Sequence, residues 1–387
     1  STMQFRYLLL LGVCLSHAVN LSAFAQSDLL LPPPPNVSSE AYIIMDAKTG
    51  AVLAEKNADA QMAPASLTKL MTSYVIFHAI DQGHLNLDDS IHISSKAWNT
   101  EGSRLFLNEN GSANLQTLLK GTIITSGNDA SVALSEHFAG SEDNFAIIMN
   151  RYADKLAMHD THFVTATGLD DPKHLSTCHD LATLSSHIIY DFPQYFHWFH
   201  EQSISYNGIT QPNRNTLLNT HPEVDGLKTG YTSKAGYCLS TTAQRNNTRL
   251  IVITLNAPSK KQRDQDTLAL LNYGFRFYES TLLYSDHTHI TTEPVYLGLL
   301  NRVNISTHDA FWATIPKGSR DQVVVDIDIP STLSAPLDQD TPVGEIHALV
   351  DNRVIASSPL YPEQDIQSST GIRYSLSYLK LLLAKWF

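Results

Sequence analysis

Apolar residues along this chain recur with different periods in successive stretches. Around residues 41–46 and 51–55 they are β-rich and flank Lys48-Thr49-Gly50, a turn, which predicts a hairpin. Then Leu67, Leu70, Met71, Tyr74, Val75 and Ile76 fall at helical spacing behind Pro64 and Ser66, which fit a helix start, and the pattern ends near Gly83. Residues 114–138 keep the helical period but break at Ser126-Gly127-Asn128. Further helices are predicted over 144–158, apolar at Phe145, Ile148, Met149, Tyr152 and Leu156, and over 180–190, with Asp180 near the cap. The stretch 163–172 between them has turn chemistry. After Ser203 the pattern turns to strands over 224–229, 237–242 and 249–255, with Gly226, Gly230 and Gly236 at turns or close approaches. An amphipathic helix follows over 262–278. These elements predict an α+β domain in which strands from both ends share one antiparallel sheet flanked by helices.

From about Pro294 the pattern changes again. Residues 323–329 and 346–350 alternate, and Pro, Gly and Asp turns separate them at strand spacing, so a small all-β sandwich module is predicted. It holds no nucleophile–base set. The segment 371–387 carries Arg373, Lys380 and Lys385 without an acid, while Leu376, Leu379, Leu383 and Trp386 recur at helical spacing beside Tyr378, Leu382 and Phe387. It is too short to span a bilayer and suits a membrane interface; the alternative is a helix docked on its own domain. At the other end, Arg6, an apolar core over 7–15 and Ala23-Phe24-Ala25 read as a signal peptide cut before Gln26. Leu11-Gly12-Val13-Cys14 is a poorer lipoprotein-type match because of Val13. Leu31 and the prolines after it form a stiff extended leader with no packing role expected. The expected organisation is a signal at 1–25, a Pro-rich leader at 26–36, a first domain at 37–285, a β-sandwich at 286–366 and an amphipathic helix at 367–387.

The chain has 387 residues and a net charge of −12, which argues against a general nucleic-acid binder. Export removes Cys14 and leaves Cys178 and Cys238, whose pairing sequence alone does not decide. The 17 histidines are scattered, and the pairs His159/His162 and His287/His289 lack a zinc spacing, so no metal or cofactor is expected.

The candidate chemistry starts at Ala65-Ser66-Leu67-Thr68-Lys69. Residues three apart lie on one helix face, which sets the Lys69 amine beside the Ser66 hydroxyl. A serine needs such a base to be a nucleophile, and a helix N-terminus suits a reaction that forms an oxyanion. Alone, this pattern also fits a capping serine and a solvated lysine. Ser126-Gly127-Asn128 and then Lys228-Thr229-Gly230 follow in order, in a loop and at a strand end, and the set of three is specific where each alone is weak.

With these blocks the chain resembles the low-molecular-mass penicillin-binding proteins of the 5 and 6 type, serine D-alanyl-D-alanine carboxypeptidases. Ser126-Gly127-Asn128-Asp129-Ala130 and Asp225-Gly226-Leu227-Lys228-Thr229-Gly230-Tyr231-Thr232 match the family's core blocks, and Ala166-Thr167-Gly168-Leu169 and residues 272–277 match secondary ones. The resemblance implies that Ser66 forms an acyl-enzyme with the penultimate D-alanine of a peptidoglycan stem and that β-lactams acylate it too. It implies Lys69 as base, its amine kept neutral by burial and by a second cation such as Lys228. Ser126 relays a proton to the leaving amine, and Asn128 holds Lys69 and the substrate amide. Lys228, Thr229 and Gly230 face the terminal carboxylate, and the backbone N–H groups of Ser66 and Tyr231 form the oxyanion hole. Arg263 lies where the resemblance places a carboxylate-supporting arginine, with a helix-surface cation as the alternative; Arg214 is a more distant candidate. Tyr231 and Thr167 stand where some relatives carry histidine, and Cys238 is unusual after the Gly-Tyr pair. Members of this layout are exported and held on the periplasmic face of the cytoplasmic membrane.

Other readings predict differently. A β-lactamase needs a glutamate in an E-x-x-L-N loop, and residues 126–228 contain none, so penicillin is expected to acylate Ser66 and leave slowly. A DD-endopeptidase would cut crosslinks, although small enzymes of that kind usually lack the C-terminal module. A non-catalytic wall-binding protein would not be labelled by penicillin at all.

Overall fold

The computed structural model describes residues 31–387; the segment read as a signal peptide lies outside them. Strand β1 (Ala41–Asp46) turns at Gly50, where φ is +76°, into β2 (Val52–Lys56). Three later strands, β3 (Val224–Thr232), β4 (Gly236–Arg245) and β5 (Thr248–Ala257), complete an antiparallel sheet in the order β2-β1-β5-β4-β3. All six residues of β1 are buried, because both faces of the sheet are covered. Successive side chains point to opposite faces: Ile43 enters a core with Ile251 and Ile253, whereas Ile44 enters a second core with Leu250 and Val252.

The first core holds the helices α1 (Lys69–Asp81), α2 (Leu115–Ile124), α3 (Asn128–Ala139), α4 (Glu142–Lys155) and α5 (Cys178–Asp191). α1 runs through its middle and buries ten of its side chains, including Lys69, so its sequence is apolar nearly all round. The other core lies under α6 (Lys260–Phe277). The leader does pack, contrary to the sequence-based expectation. Leu31 and Val37 lie against the second core, and the Tyr273 hydroxyl donates to the Pro32 carbonyl at 2.9 Å. An extended Pro-rich chain has no internal hydrogen bonds, so its carbonyls are free to accept such a donor.

The second unit is all β. Its strands are β6 (Tyr278–Tyr284), β7 (His289–Tyr296), β8 (Arg302–Thr307), β9 (Phe311–Pro316), β10 (Val324–Asp328), β11 (Leu333–Ser334), β12 (Gly344–Val350) and β13 (Arg353–Pro362). Six form one sheet, β10-β12-β13-β8-β7-β11, and β6 pairs with β9 across a core containing Val303, Ile305, Ile315 and Leu360. The pairing of β6 starts this unit's strands at Tyr278, ahead of the sequence-based boundary at 286. At the junction with the first unit, Thr314 Oγ1 donates to Asp46 Oδ2 at 2.7 Å and Lys48 Nζ lies 3.4 Å from the Trp312 ring centre. Burial raises the Asp46 carboxyl above its ordinary range.

The last helix, α7 (Gly371–Trp386), docks through buried Leu381 and through Ser377, whose Oγ accepts from the Leu297 N–H at 2.6 Å. Its apolar stripe of Ile372, Leu376, Leu379, Leu383 and Trp386 faces outward. Among the described residues no helix is long and apolar enough to cross a membrane.

Candidate active site

A 3₁₀ turn, Ala65–Thr68, feeds into α1 and carries Ser66. Ala65 holds φ +49°, a left-handed backbone that costs a non-glycine residue roughly 1–3 kcal/mol. Two glycines let other segments close on this turn. A Cβ on Gly168 would lie 1.8 Å from the Ala65 carbonyl oxygen, and one on Gly230 would lie 2.9 Å from the Ser66 nitrogen. The 165–169 loop and the edge strand β3 therefore press on Ser66 from two sides.

Lys69 Nζ lies 2.8 Å from Ser66 Oγ and donates to the Thr167 carbonyl at 2.9 Å. Burial lowers its amine to about 7, with the Arg214 guanidinium adding to the shift and Asp129 opposing it. A neutral Lys69 then has a lone pair for the Ser66 proton. Sequence reasoning named Lys228 as the second cation; Arg214 is the one that acts on Lys69. Lys228 itself is pushed far down by burial, then by Lys69, Arg214 and Arg263, and donates to the Thr229 carbonyl at 2.9 Å. The strand that carries Lys228-Thr229-Gly230 runs on to Thr232, so these residues lie within β3 rather than at its end.

Ser126 also holds a left-handed φ, +59°, where α2 ends and α3 begins. Its Oγ is buried and has no hydrogen-bond partner among the described residues. Asn128 donates through Nδ2 to the Glu101 carbonyl at 2.8 Å, while its Oδ1 is buried without a partner. The hydrogen bond expected between Asn128 and Lys69 is not formed; the Thr167 carbonyl takes the second amine proton instead. Unpartnered buried acceptors are costly, which fits groups aimed at a ligand. The adjoining Asp129 fixes this loop. Its carboxylate accepts from the N–H groups of Leu105, Leu107 and Ala130.

Ser66, Ser126, Thr229 and Tyr231 line one cleft of about 630 Å³ together with Arg214 and Arg263. Arg263 is 3 % exposed and pairs with Asp264 at 3.0 Å, so it is no helix-surface cation. Arg214, which sequence reasoning kept distant, forms part of the wall and donates to the Thr125 carbonyl at 3.0 Å. The Tyr231 ring is 53 % exposed and stacks on Tyr237, ring centres 4.4 Å apart. The chain thus gathers a serine beside a near-neutral lysine, a second buried hydroxyl, a second buried lysine and two guanidinium groups. That set can attack a carbonyl next to a carboxylate. Cys178 and Cys238 are both buried and unbonded.

Comparison with known proteins gives two family matches. Residues 30–259 match the D-alanyl-D-alanine carboxypeptidase family, and residues 278–368 match the C-terminal domain of penicillin-binding protein 5. The D-alanyl-D-alanine carboxypeptidase DacA of Haemophilus influenzae is 37 % identical over 361 residues, 91 % of this chain and 92 % of that protein. The crystal structures of penicillin-binding protein 5 from the same organism superpose with a TM-score of 0.83 at 36 % identity, covering 87 % of this chain and all of that one. Penicillin-binding protein D2 of Listeria monocytogenes, in its ampicillin-bound form, matches with a TM-score of 0.56 at 32 % identity over 63 % of this chain and all of that one.

Proposed function

For a chain that belongs to the D-alanyl-D-alanine carboxypeptidase family of penicillin-binding proteins, we propose that Ser66, Lys69, Ser126, Asn128, Lys228 and Arg263 divide the work of a serine acyl-enzyme mechanism. The observation that carries this reading is the 2.8 Å contact between Ser66 Oγ and a buried lysine amine lowered to about 7.

Neutral Lys69 takes the hydroxyl proton as Ser66 attacks the carbonyl carbon between two terminal D-alanines. The oxyanion meets the backbone N–H groups of Ser66 and Tyr231, each such donor being worth about 3–4 kcal/mol. Ser126 passes the proton to the leaving amine, D-alanine departs, and an ester on Ser66 remains. Water then attacks that ester, gives its proton to Lys69 and restores the hydroxyl. The substrate's terminal carboxylate faces Lys228, Thr229 and Gly230, with Arg263 and Arg214 behind them. Its charge raises the depressed Lys228 amine and so rewards a free C-terminal acid over an internal peptide. Asn128 Oδ1 accepts from the substrate amide.

A D-alanine release assay on one preparation tests this, using pentapeptide, crosslinked dimer and a penicillin. We expect release from the pentapeptide, little from the dimer, and a long-lived penicillin adduct. Faster cleavage of the dimer would make the enzyme an endopeptidase, and rapid repeated penicillin turnover would make it a β-lactamase. The pH profile is a separate check. Lys69 acts unprotonated, so kcat/KM should rise with pH through about 7 and level off above it. A rate already flat from pH 5 would contradict Lys69 as base.

The same reading assigns the first unit to catalysis and the β unit to a spacer, and places the exported protein on the outer face of the cytoplasmic membrane. The outward stripe on α7, with Arg373, Lys380 and Lys385 beside it, supports an interfacial helix. A chain ended at Ser369 keeps the two hydrogen bonds from that residue to the Leu297 carbonyl and loses only the helix. It should stay in the supernatant when sedimented with anionic vesicles that pull down the full chain. Equal sedimentation would refute the anchor.

A further inference from the structure

A second polar pocket, of about 520 Å³, lies in the β unit, away from the Ser66 cleft. It forms where the turn before β7, the turn after β8, the 338–341 turn and the end of β13 meet. Its central feature is an aromatic pair. The rings of His308 and Tyr361 are parallel, 2° apart in plane and 3.6 Å between centres, and His287 tilts against His308 at 5.8 Å. Ser306, opposite Tyr361 in the strand register, is 5 % exposed, and its Oγ has no hydrogen-bond partner among the described residues. Gln339 contributes an amide to the lining, and Asp340 and Glu363 each contribute a carboxylate.

The lining decides the ligand class. It contains no lysine or arginine, so a phosphate or carboxylate has no counter-charge there. No group of side chains among the described residues could hold a metal ion. What remains is a stacked aromatic pair, its facing sides closed on each other, with hydroxyl, amide and carboxylate groups around it. That combination suits a neutral ring with apolar C–H groups on one face and hydroxyl or amide N–H groups at its edge, which is the chemistry of an N-acetylated sugar. Position supports it. The helix α7 docks at Leu297, just past the far end of β7, and an eight-residue strand at about 3.3 Å per residue is about 26 Å long. The pocket therefore opens well away from the helix assigned to the membrane.

We propose that this pocket is a secondary binding site for the glycan strand of peptidoglycan, which seats one N-acetylated amino sugar against His308 and Tyr361 while the peptide stem is cut elsewhere. The proposal rests on the peptidoglycan reading above. Ser306 and Asp340 then bond the ring's edge, and binding concentrates the enzyme on intact wall without contributing to the chemistry.

The test uses the full chain and peptide-free glycan strands made by amidase digestion of peptidoglycan, with binding followed by calorimetry. The native chain should bind. Tyr361→Ala and His308→Ala should each weaken binding by about tenfold or more, and Tyr361→Phe, which keeps the ring, by much less. Tyr361 lies in a strand, so melting curves accompany its variants, whereas His308 lies in a turn and spares the sheet. Every variant should release D-alanine from soluble pentapeptide at the native rate and fall behind only on intact wall. The proposal is overturned if the native chain ignores the strands, if both alanine variants bind as it does, or if only strands still carrying peptide bind. Failure to cleave soluble pentapeptide would instead refute the carboxypeptidase reading and leave a positive glycan result standing.

Discussion

Ser66→Ala should abolish labelling by a fluorescent penicillin and cut D-alanine release by about 10⁴-fold or more, because Ser66 carries the hydroxyl that touches the Lys69 amine. The hydroxyl contacts only the Lys69 amine, so its removal should cost the fold about 1 kcal/mol, the usual worth of one hydrogen bond. The variant should therefore purify and melt nearly as the native chain does, and its inactivity can be read as lost chemistry. The oxyanion donors and the cations survive, so it should still bind pentapeptide. A Ser66→Ala protein that still took up label would point to another nucleophile, with the buried Ser126 hydroxyl the first to test.

The other large effect is expected far from any reacting atom. Gly168→Ala puts a methyl group where the Ala65 carbonyl oxygen already is, at 1.8 Å, on a residue whose φ is +87°. Neither backbone can yield without moving Ser66 or the Thr167 carbonyl that holds Lys69. A displacement of about 1 Å can cost about 100-fold, so we expect at least that loss in the penicillin acylation rate. Stability should drop by about 2–3 kcal/mol from crowding and backbone strain together. Gly140→Ala is the matched control. Gly140 holds φ +85° at the end of α3 with nothing within 4 Å of its Cβ position, so it carries the strain without the collision. If the two variants lost activity equally, the wedge on Ser66 would be refuted. Acylation and melting are measured on both.

These two glycines also show what sequence could and could not reveal. Ser66, Lys69, Ser126, Asn128 and Lys228 were legible because each belongs to a short chemical pattern in a fixed order. The hairpin at Lys48-Thr49-Gly50 and the alternation in β10 and β12 were legible because one period governs each. The Thr167 carbonyl was not, since every residue carries that group and only the fold chooses which one Lys69 meets. Arg214 was missed as Lys69's neighbour for the same reason: its reach depends on how the chain returns to Thr125, far away in sequence. The contact of Pro32 with Tyr273 depends on α6 and could not be read from the leader. The His308–Tyr361 pair joins two residues on different strands, and nothing near either of them announces the other.

Arg214 pushes on both Lys69 and Lys228, and Arg263 pushes on Lys228 as well. Such a cluster is strained by its own repulsion and relaxes when any small carboxylate enters. The released D-alanine is itself a small carboxylate, so the arrangement that selects the substrate also slows the escape of the product. High D-alanine is then expected to compete with the stem's terminal carboxylate for these cations.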